Sequence, residues 1–227
     1  PAGDSTAERV AMVEKAVDEG YTVIVMPGFA FAETITEVAD EYSDVTFVAL
    51  DVSEGDLGDY TLPSNVYCAV YQEELCGYMA GYAAVKLGYT HLGFLGGMAV
   101  PAVVRYGFGY VQGADAAAAE TGADVTVEYA YGNQFWGDAD ITAYMDNWYQ
   151  TLGVEVVFAC GGGIYSSAAE AAAKVGGKVI GVDVDQSSQA DLIITSAMKE
   201  LQASTVLALT DLYGNDLAWP EAYAGQQ

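Results

Sequence analysis

Residues 154–183 read VEVVFACGGGIYSSAAEAAAKVGGKVIGVD and decide the fold. The β-branched apolar run 154–159 ends at the glycines 161–163, a pattern that predicts a strand buried on both faces. A helical pattern over 166–175 follows, and a second apolar run ends at Asp183. A strand, a helix and a second strand in this order are typical of a parallel sheet that is covered by helices.

The same alternation extends from this stretch towards both ends of the chain. Further strands are predicted at 21–26, 45–50, 65–70, 91–95, 125–131 and 192–195. Further helices are predicted after a cap at Ser5 or Thr6 and at 32–42, 73–87, 103–121, 141–152 and 197–213. The predicted fold class is therefore α/β, with parallel sheets and helices on both faces.

Glycine turns and the distribution of charge predict two lobes in this α/β chain. The C-terminal lobe would cover 91–187, and a discontinuous N-terminal lobe would combine 1–90 with 188–227. The chain opens with a helix where a strand is expected, and no closing element is predicted after the helix that ends at Tyr213. We therefore expect a fold that is incomplete at both ends, with the first βα unit of the N-terminal lobe lacking.

The lacking strand would leave an apolar edge on its neighbours in the sheet. The strands exposed in this way would be 21–26 and 45–50. We expect either that a separate N-terminal segment covers this edge or that the chain self-associates through it, and we favour the first.

Composition excludes several classes of protein. The 227 residues include 32 acidic and 7 basic ones, for a formal net charge of −25. Such a chain repels a phosphate backbone, which argues against nucleic-acid binding, and a hydrophobic fraction of 52% excludes disorder. No apolar run approaches the roughly 18–20 residues of a membrane span. The acidity suits a solubilised surface, a saline habitat or a cell-surface location, and the sequence does not choose among them.

Polar residues and glycines collect at the predicted carboxyl ends of the strands, where open parallel sheets bind ligands. They are Gly28–Phe29, Asp51, Gly96–Met98, Tyr131–Asn133, Gly161–Gly163 and Asp183. Glycines let backbone amides approach a ligand, and aspartates accept hydrogen bonds from hydroxyls, so this pattern predicts a polar small molecule.

No catalytic set emerges from the sequence. His91 begins a strand, at the end opposite the predicted site, and the chain has neither a G-x-S-x-G elbow nor a Walker loop. Glu73 and Glu74 begin a helix, where acidic side chains favour the dipole, so capping is their favoured role. Of Asp183 and Asp185, one can face the site while the other forms a turn. Three scattered cysteines and one histidine make no disulfide framework or zinc site. We therefore predict a binding protein with no enzymatic activity, cofactor or metal.

Several blocks of sequence together resemble the basic membrane protein family. These proteins are substrate-binding lipoproteins of ABC transporters, with purine nucleoside receptors among them. The blocks cover nearly the whole chain in order, and they are Gly28–Phe31, QEELCGYMAGYAA at 72–84, Gly96–Met98 with Pro101 and Gly107–Gly109, VIGVDVDQ at 179–186, and TSAMK at 195–199.

The resemblance implies a two-lobe, type 1 periplasmic-binding-protein fold that closes on a nucleoside, with a purine nucleoside expected first. It implies an ABC transporter permease as the partner and a location at the cell surface or in the periplasm. A lipid anchor to the plasma membrane is expected outside this chain.

The resemblance also implies a set of ligand-binding residues. Asp183 matches a carboxylate that is offered to ribose hydroxyls, and Lys199 matches the lysine of the T-S-x-x-K block near the ligand. Gly162 and Gly163 match a glycine turn that lines the pocket, and Tyr165 is expected to replace a stacking aromatic ring.

Other aromatic and apolar residues near strand ends join this set. Phe29 and Met98 are expected to wall the pocket, and for Phe29 a place in the core is an equal alternative. Phe135 and Trp136 lie in a loop, either as a lid or as surface aromatics.

Three other functions compete with the nucleoside receptor, and the first two stay open. The first is a binding protein for a sugar or a signalling furanose. The second is an α/β enzyme such as a nucleoside hydrolase, which would need a positioned base or a cluster of metal-binding aspartates. The third is the effector lobe of a transcription regulator, which would need a helix-turn-helix and basic charge, and the sequence shows neither.

Overall fold

The structure is a computed structural model that describes residues 5–226. Its contacts divide these residues into two compact units. The first unit combines the chain up to Tyr71 with the segment from Glu200 onwards, and the second unit covers Gln72–Lys199.

The second unit contains five parallel strands in the order β5-β4-β6-β7-β8. The strands are β4 His91–Gly96, β5 Thr126–Tyr131, β6 Val156–Cys160, β7 Lys178–Asp183 and β8 Ile193–Met198. Its helices are α3 Glu73–Lys86, α4 Pro101–Thr121, α5 Ala139–Asp146, which continues as a π-helical turn Asn147–Leu152, and α6 Tyr165–Ala173. The α/β fold class, with parallel strands and flanking helices, is confirmed.

Strand periodicity explains why helices cover both faces of this sheet. Val156 and Phe158 of β6 pack into a core with α3 and α4, whereas Val157 and Ala159 pack into a second core with α5 and α6. Successive side chains of a strand point to opposite faces, so an all-apolar strand requires two covered faces.

Glycines allow α3 and α4 to approach each other at backbone distance. A Cβ atom added at Gly77 or Gly81 of α3 would collide with a backbone carbonyl of α4, and one added at Gly109 or Gly113 of α4 would collide with a carbonyl of α3. The close approach holds the first turn of α3 against α4, and this turn contributes to the site described below.

The first unit is built on three parallel strands in the order β1-β2-β3. The strands are β1 Val23–Pro27, β2 Thr46–Leu50 and β3 Val66–Ala69, and the helices are α1 Thr6–Asp18, α2 Ala32–Val38 and α7 Leu201–Gly214, with 3-10 turns at Phe29–Phe31 and Glu54–Asp56. Helices α1 and α2 cover one face of the sheet, and α7 covers the other.

Contacts correct the predicted lobe boundaries, which assigned 1–90 and 188–227 to one lobe and 91–187 to the other. In the structure α3 belongs to the second unit because its glycine face packs on α4. Strand β8 belongs there too, because it pairs in parallel with β7. Helix α3 and strand β8, both predicted in the N-terminal lobe, therefore belong to the second unit.

Two further expectations about the first unit differ from the structure. Strand β2 is hydrogen-bonded to β1 on one side and to β3 on the other, so it does not present the exposed edge that was expected of 45–50. After α7, Tyr223 stacks on Tyr67 with ring centroids 4.6 Å apart, and Gln226 forms a parallel bridge to Tyr67. The chain thus does add packed structure after Tyr213.

The described residues contain neither a candidate membrane span nor a candidate metal cluster. No helix within 5–226 combines the length and the apolarity that crossing a bilayer requires. Within the same residues, no three His, Cys, Asp or Glu side chains are grouped so that they could hold a metal ion.

Candidate ligand-binding site

Asp183 and Lys199 lie side by side at the carboxyl edge of the five-stranded sheet. Asp183 is the last residue of β7, and Lys199 follows the last residue of β8. The Lys199 N–H donates to the Asp183 carbonyl oxygen at 2.8 Å, which extends the ladder between the strands. In this register the Lys199 Nζ lies 3.3 Å from the Asp183 Oδ1. Two residues 16 positions apart in the sequence thus form an ion pair.

Burial distinguishes the two members of this pair. The Lys199 side chain is 3% exposed and the Asp183 side chain 33% exposed. The ammonium also lies 5.4 Å from the centre of the Tyr106 ring, where a cation is attracted by the π-electrons. Asp183 is therefore the member of the pair that is accessible from solvent, and the buried Lys199 fixes the position of its carboxylate.

Glu73 and Arg105 extend the pair into a network of four charges. Glu73 is the first residue of α3 and is fully buried, and its Oε1 lies 3.5 Å from the Lys199 Nζ. The Arg105 Nε donates to the Glu73 Oε2 at 2.6 Å. Sequence reasoning favoured a capping role for Glu73 and did not single out Arg105. A usable signal was Arg105 itself, one of 7 basic residues in the chain, within the otherwise apolar start of α4.

Tyr106 supports the network from the core. Its hydroxyl donates to the Ala197 carbonyl oxygen at 3.2 Å. Burial, and to a smaller extent the charge of Asp183, raises the pKa of Tyr106 above its ordinary value. The phenol therefore stays neutral, and Tyr106 acts as an aromatic wall and a hydrogen-bond donor.

Asp185 takes the role of a turn residue, as one of the two aspartates was expected to do. Its Oδ1 accepts the Ser187 N–H at 2.9 Å. This hydrogen bond lowers the pKa of Asp185. The nearby Gln186 is buried, and its Oε1 accepts the Val182 N–H at 3.0 Å. The loop after β7 is thereby held by its own side chains.

The glycine turn after β6 packs against the loop that carries Phe135. Gly162 has a φ of 51°, and the Gly163 N–H donates to the Phe135 carbonyl oxygen at 2.7 Å. The Phe135 ring lies so close to Gly97 and Gly161 that a Cβ on either would come within 3.0 Å of it. Phe135 therefore belongs to the same edge of the sheet, with glycines at the ends of β4 and β6 making room for its ring.

Met98 and Tyr165 flank these turns. Met98 follows Gly97 and is 38% exposed. Tyr165 begins α6 and is half-buried, and its hydroxyl donates to the Gln189 Oε1 at 3.2 Å. Six of the predicted site residues thus lie in the second unit, at or next to the carboxyl ends of its strands. They are Met98, Gly162, Gly163, Tyr165, Asp183 and Lys199.

Phe29 is the predicted site residue that lies in the first unit. It begins the 3-10 turn after β1, and the preceding Gly28 has a φ of 116° and donates its N–H to the Leu50 carbonyl oxygen at 2.8 Å. At the end of the neighbouring β2, Asp51 has a φ of 66°. The first unit therefore has a carboxyl edge of its own, with an aromatic residue and an aspartate at adjacent strand ends.

Comparison with known proteins shows the family of this chain. The sequence model of the Bmp family, described as ABC transporter substrate-binding protein PnrA-like, matches residues 2–223. Basic membrane protein B of Borreliella afzelii is 30% identical over 204 residues, which are 88% of this chain and 58% of that protein. The ABC transporter nucleoside-binding protein BmpA of Lactococcus lactis subsp. cremoris is 29% identical over 192 residues, 81% of this chain and 52% of that protein. The chain thus spans little more than half the length of these curated relatives.

A solved structure shows the same fold. The crystal structure of an ABC transporter solute-binding protein from Aeropyrum pernix K1 superposes with a TM-score of 0.74 at 22% identity and covers 95% of this chain and 61% of that one. The family match extends over nearly all of the sequence. The chain therefore belongs to the Bmp family, the PnrA-like substrate-binding proteins of ABC transporters.

Proposed function

We propose that this chain is the ligand-binding part of an extracytoplasmic substrate-binding protein, and that it captures a nucleoside, with a purine nucleoside as the first candidate. It would deliver this ligand to an ABC transporter permease, and a lipid outside this chain would hold it at the plasma membrane. The name of the Lactococcus lactis relative, a nucleoside-binding protein, supports the choice of ligand.

The Asp183–Lys199 pair is the observation that carries the proposal. An ionised carboxylate accepts hydrogen bonds through two oxygens, which suits the two neighbouring hydroxyls of a ribose. The Lys199 Nζ lies 3.3 Å from one of these oxygens and fixes the orientation of the carboxylate. A third of the Asp183 side chain remains exposed, so the carboxylate is accessible to a ligand.

Aromatic and glycine residues at the same edge fit the rest of a nucleoside. We propose that Phe135, Tyr165 and Met98 offer apolar surface to the base, and that Gly162 and Gly163 let the backbone approach the ligand. Phe29 is proposed as a further ligand-binding residue. The protein is proposed to bind its ligand without transforming it.

A thermal-shift screen of nucleosides, nucleobases and sugars on the full-length protein tests the ligand class. We expect purine nucleosides to raise Tm, because a ligand that binds only the folded state stabilises it. If sugars alone raise Tm, the nucleoside proposal is wrong and the sugar-binding alternative takes its place. Chromatography after long incubation with guanosine checks for catalysis, and release of free guanine would overturn the role of a pure binding protein.

Substitution of Asp183 tests the site itself. Asp183→Ala is expected to weaken nucleoside binding by about 1.5–3 kcal/mol, the range for hydrogen bonds to a charged group, as measured by calorimetry. Asp183→Asn tests the charge alone, because asparagine tolerates the φ of 65° at this position. Asp185→Asn, an exposed turn residue in the same loop, is the control. An unchanged dissociation constant in both Asp183 variants would remove Asp183 from the site.

A further inference from the structure

Glu73 is the centre of the charge network at the carboxyl edge of the second unit. It is fully buried and contacts both cations of the network, the Arg105 Nε at 2.6 Å and the Lys199 Nζ at 3.5 Å. Asp183 is the other anion, 3.3 Å from the Lys199 Nζ. The four side chains therefore carry two positive and two negative charges, and Asp183 and Arg105, 33% and 35% exposed, are the ones that solvent reaches.

The remaining basic residues of the second unit lie away from this edge. His91 and Lys178 begin β4 and β7, at the amino ends of the strands. Lys86 pairs with Glu120 at 3.3 Å, and Lys174 pairs with Asp146 at 2.8 Å. Within the described second unit, the cations near the carboxyl edge are thus Arg105 and Lys199, and Glu73 contacts both of them.

This balance of charge is unfavourable for an anionic ligand. A phosphate monoester carries about 1.5–2 negative charges at neutral pH, and burying it requires cations that compensate its lost hydration. At this edge it would meet the exposed carboxylate of Asp183 and two cations whose charge Glu73 and Asp183 together already balance. A neutral, hydroxylated ligand meets no such penalty.

We propose that Glu73 is a specificity-determining residue: with Asp183 it balances the charges of Arg105 and Lys199, and it thereby restricts the site to uncharged ligands and excludes their phosphorylated forms. This inference rests on the proposed nucleoside-binding function. Glu73 acts here through Arg105 and Lys199, so its effect is on the preference between ligands that differ in charge.

The test compares two dissociation constants, for guanosine and for guanosine 5′-monophosphate, in the full-length protein. Wild type is expected to bind guanosine and to discriminate strongly against the monophosphate. Glu73→Gln keeps the shape of the side chain and removes its charge, and we expect the ratio of the two constants to fall by about tenfold or more, because charges act over several ångströms where water is excluded. Glu73→Asp keeps the charge and is the matched control, with a ratio close to that of wild type.

Arg105→Gln removes a positive charge from the network, where Glu73→Gln removes a negative one. This second variant tests the inference if Glu73→Gln does not fold. It leaves the network with an excess of negative charge, so binding of the cationic probe 5′-amino-5′-deoxyguanosine is expected to improve relative to guanosine. A purely structural role of Glu73 and Arg105 would weaken all three ligands equally. Equal ratios in every folded variant would therefore overturn the inference while leaving nucleoside binding in place, whereas a wild-type protein that binds no guanosine would overturn both.

Discussion

Single residues at three strand ends adopt the same unusual backbone conformation. Asp51, Asn133 and Asp183 have φ values of 66°, 59° and 65°. The left-handed region costs most L-residues about 1–2 kcal/mol, and aspartate and asparagine tolerate it best. The backbone geometry with which these strands end thus favours side chains that can hydrogen-bond a ligand.

Glu155 provides a prediction on pH dependence at this scale. Its Oε2 accepts the Thr90 N–H at 2.8 Å and the His91 N–H at 3.0 Å. Burial raises the pKa of Glu155, but these hydrogen bonds outweigh it, and the pKa lies below its ordinary value. A lowered pKa in the folded state contributes stability above the unfolded pKa, and this contribution is lost as the pH falls through the folded one.

We therefore expect wild type to be more stable than Glu155→Gln at pH 7, and the difference to shrink as the pH falls below about 4. Urea unfolding of both proteins between pH 3 and pH 7 measures this. Glu19→Gln, at an exposed helix end with a Lys15 contact of 3.9 Å, is the control. A difference that is constant over the whole range would mean that the ionised Glu155 does not stabilise the fold.

At the scale of elements, the contact between α3 and α4 positions the site. The two helices meet through Gly77, Gly81, Gly109 and Gly113, where a Cβ would overlap backbone atoms of the other helix. Because Glu73 lies in the first turn of α3 and Arg105 in the second turn of α4, their 2.6 Å contact depends on this close approach.

Gly81→Ala is expected to destabilise the protein by about 1–3 kcal/mol, the usual cost of overpacking, although alanine favours a helix more than glycine does. It is also expected to weaken nucleoside binding, because the helices must separate. Gly214→Ala is the control, since no atom lies within 4 Å of its added Cβ. Urea unfolding and calorimetry measure both effects, and an equally stable Gly81→Ala would show that the contact can relax without cost.

On the scale of the whole molecule, charge is the dominant feature. A net charge of −25 on 227 residues destabilises the compact state through repulsion among carboxylates, and salt screens this repulsion.

We expect Tm to rise when NaCl is increased from 10 mM to 500 mM, with most of the rise at low concentrations, where the Debye length changes most. Choline chloride at equal ionic strength is the control, because it separates screening from the binding of small cations. A Tm that is independent of salt in differential scanning fluorimetry would mean that the carboxylates lie too far apart to repel one another measurably.

The sequence by itself determined the class of fold and the edge at which polar residues collect. Local periodicity identifies strands, such as 154–159, and distinguishes them from helices. Few architectures are compatible with an alternating order of strands and helices. Strand-end residues such as Asp183 could be named for the same reason, since parallel strands place their carboxyl ends at one edge. The resemblance placed Asp183 and Lys199 near the ligand, but their pairing was not predicted, because no periodicity joins residues on different strands.

Only the tertiary structure decided where the units divide, what Glu73 does and where Phe135 lies. Each depends on contacts between residues far apart in the chain: α3 on α4, Glu73 with Arg105 and Lys199, and the Phe135 ring over Gly97. An acidic residue in the first turn of a helix looks like a cap in sequence, because the helix dipole favours it there in any protein. Burial and two cationic partners change that role, and both arise from packing that local sequence does not encode.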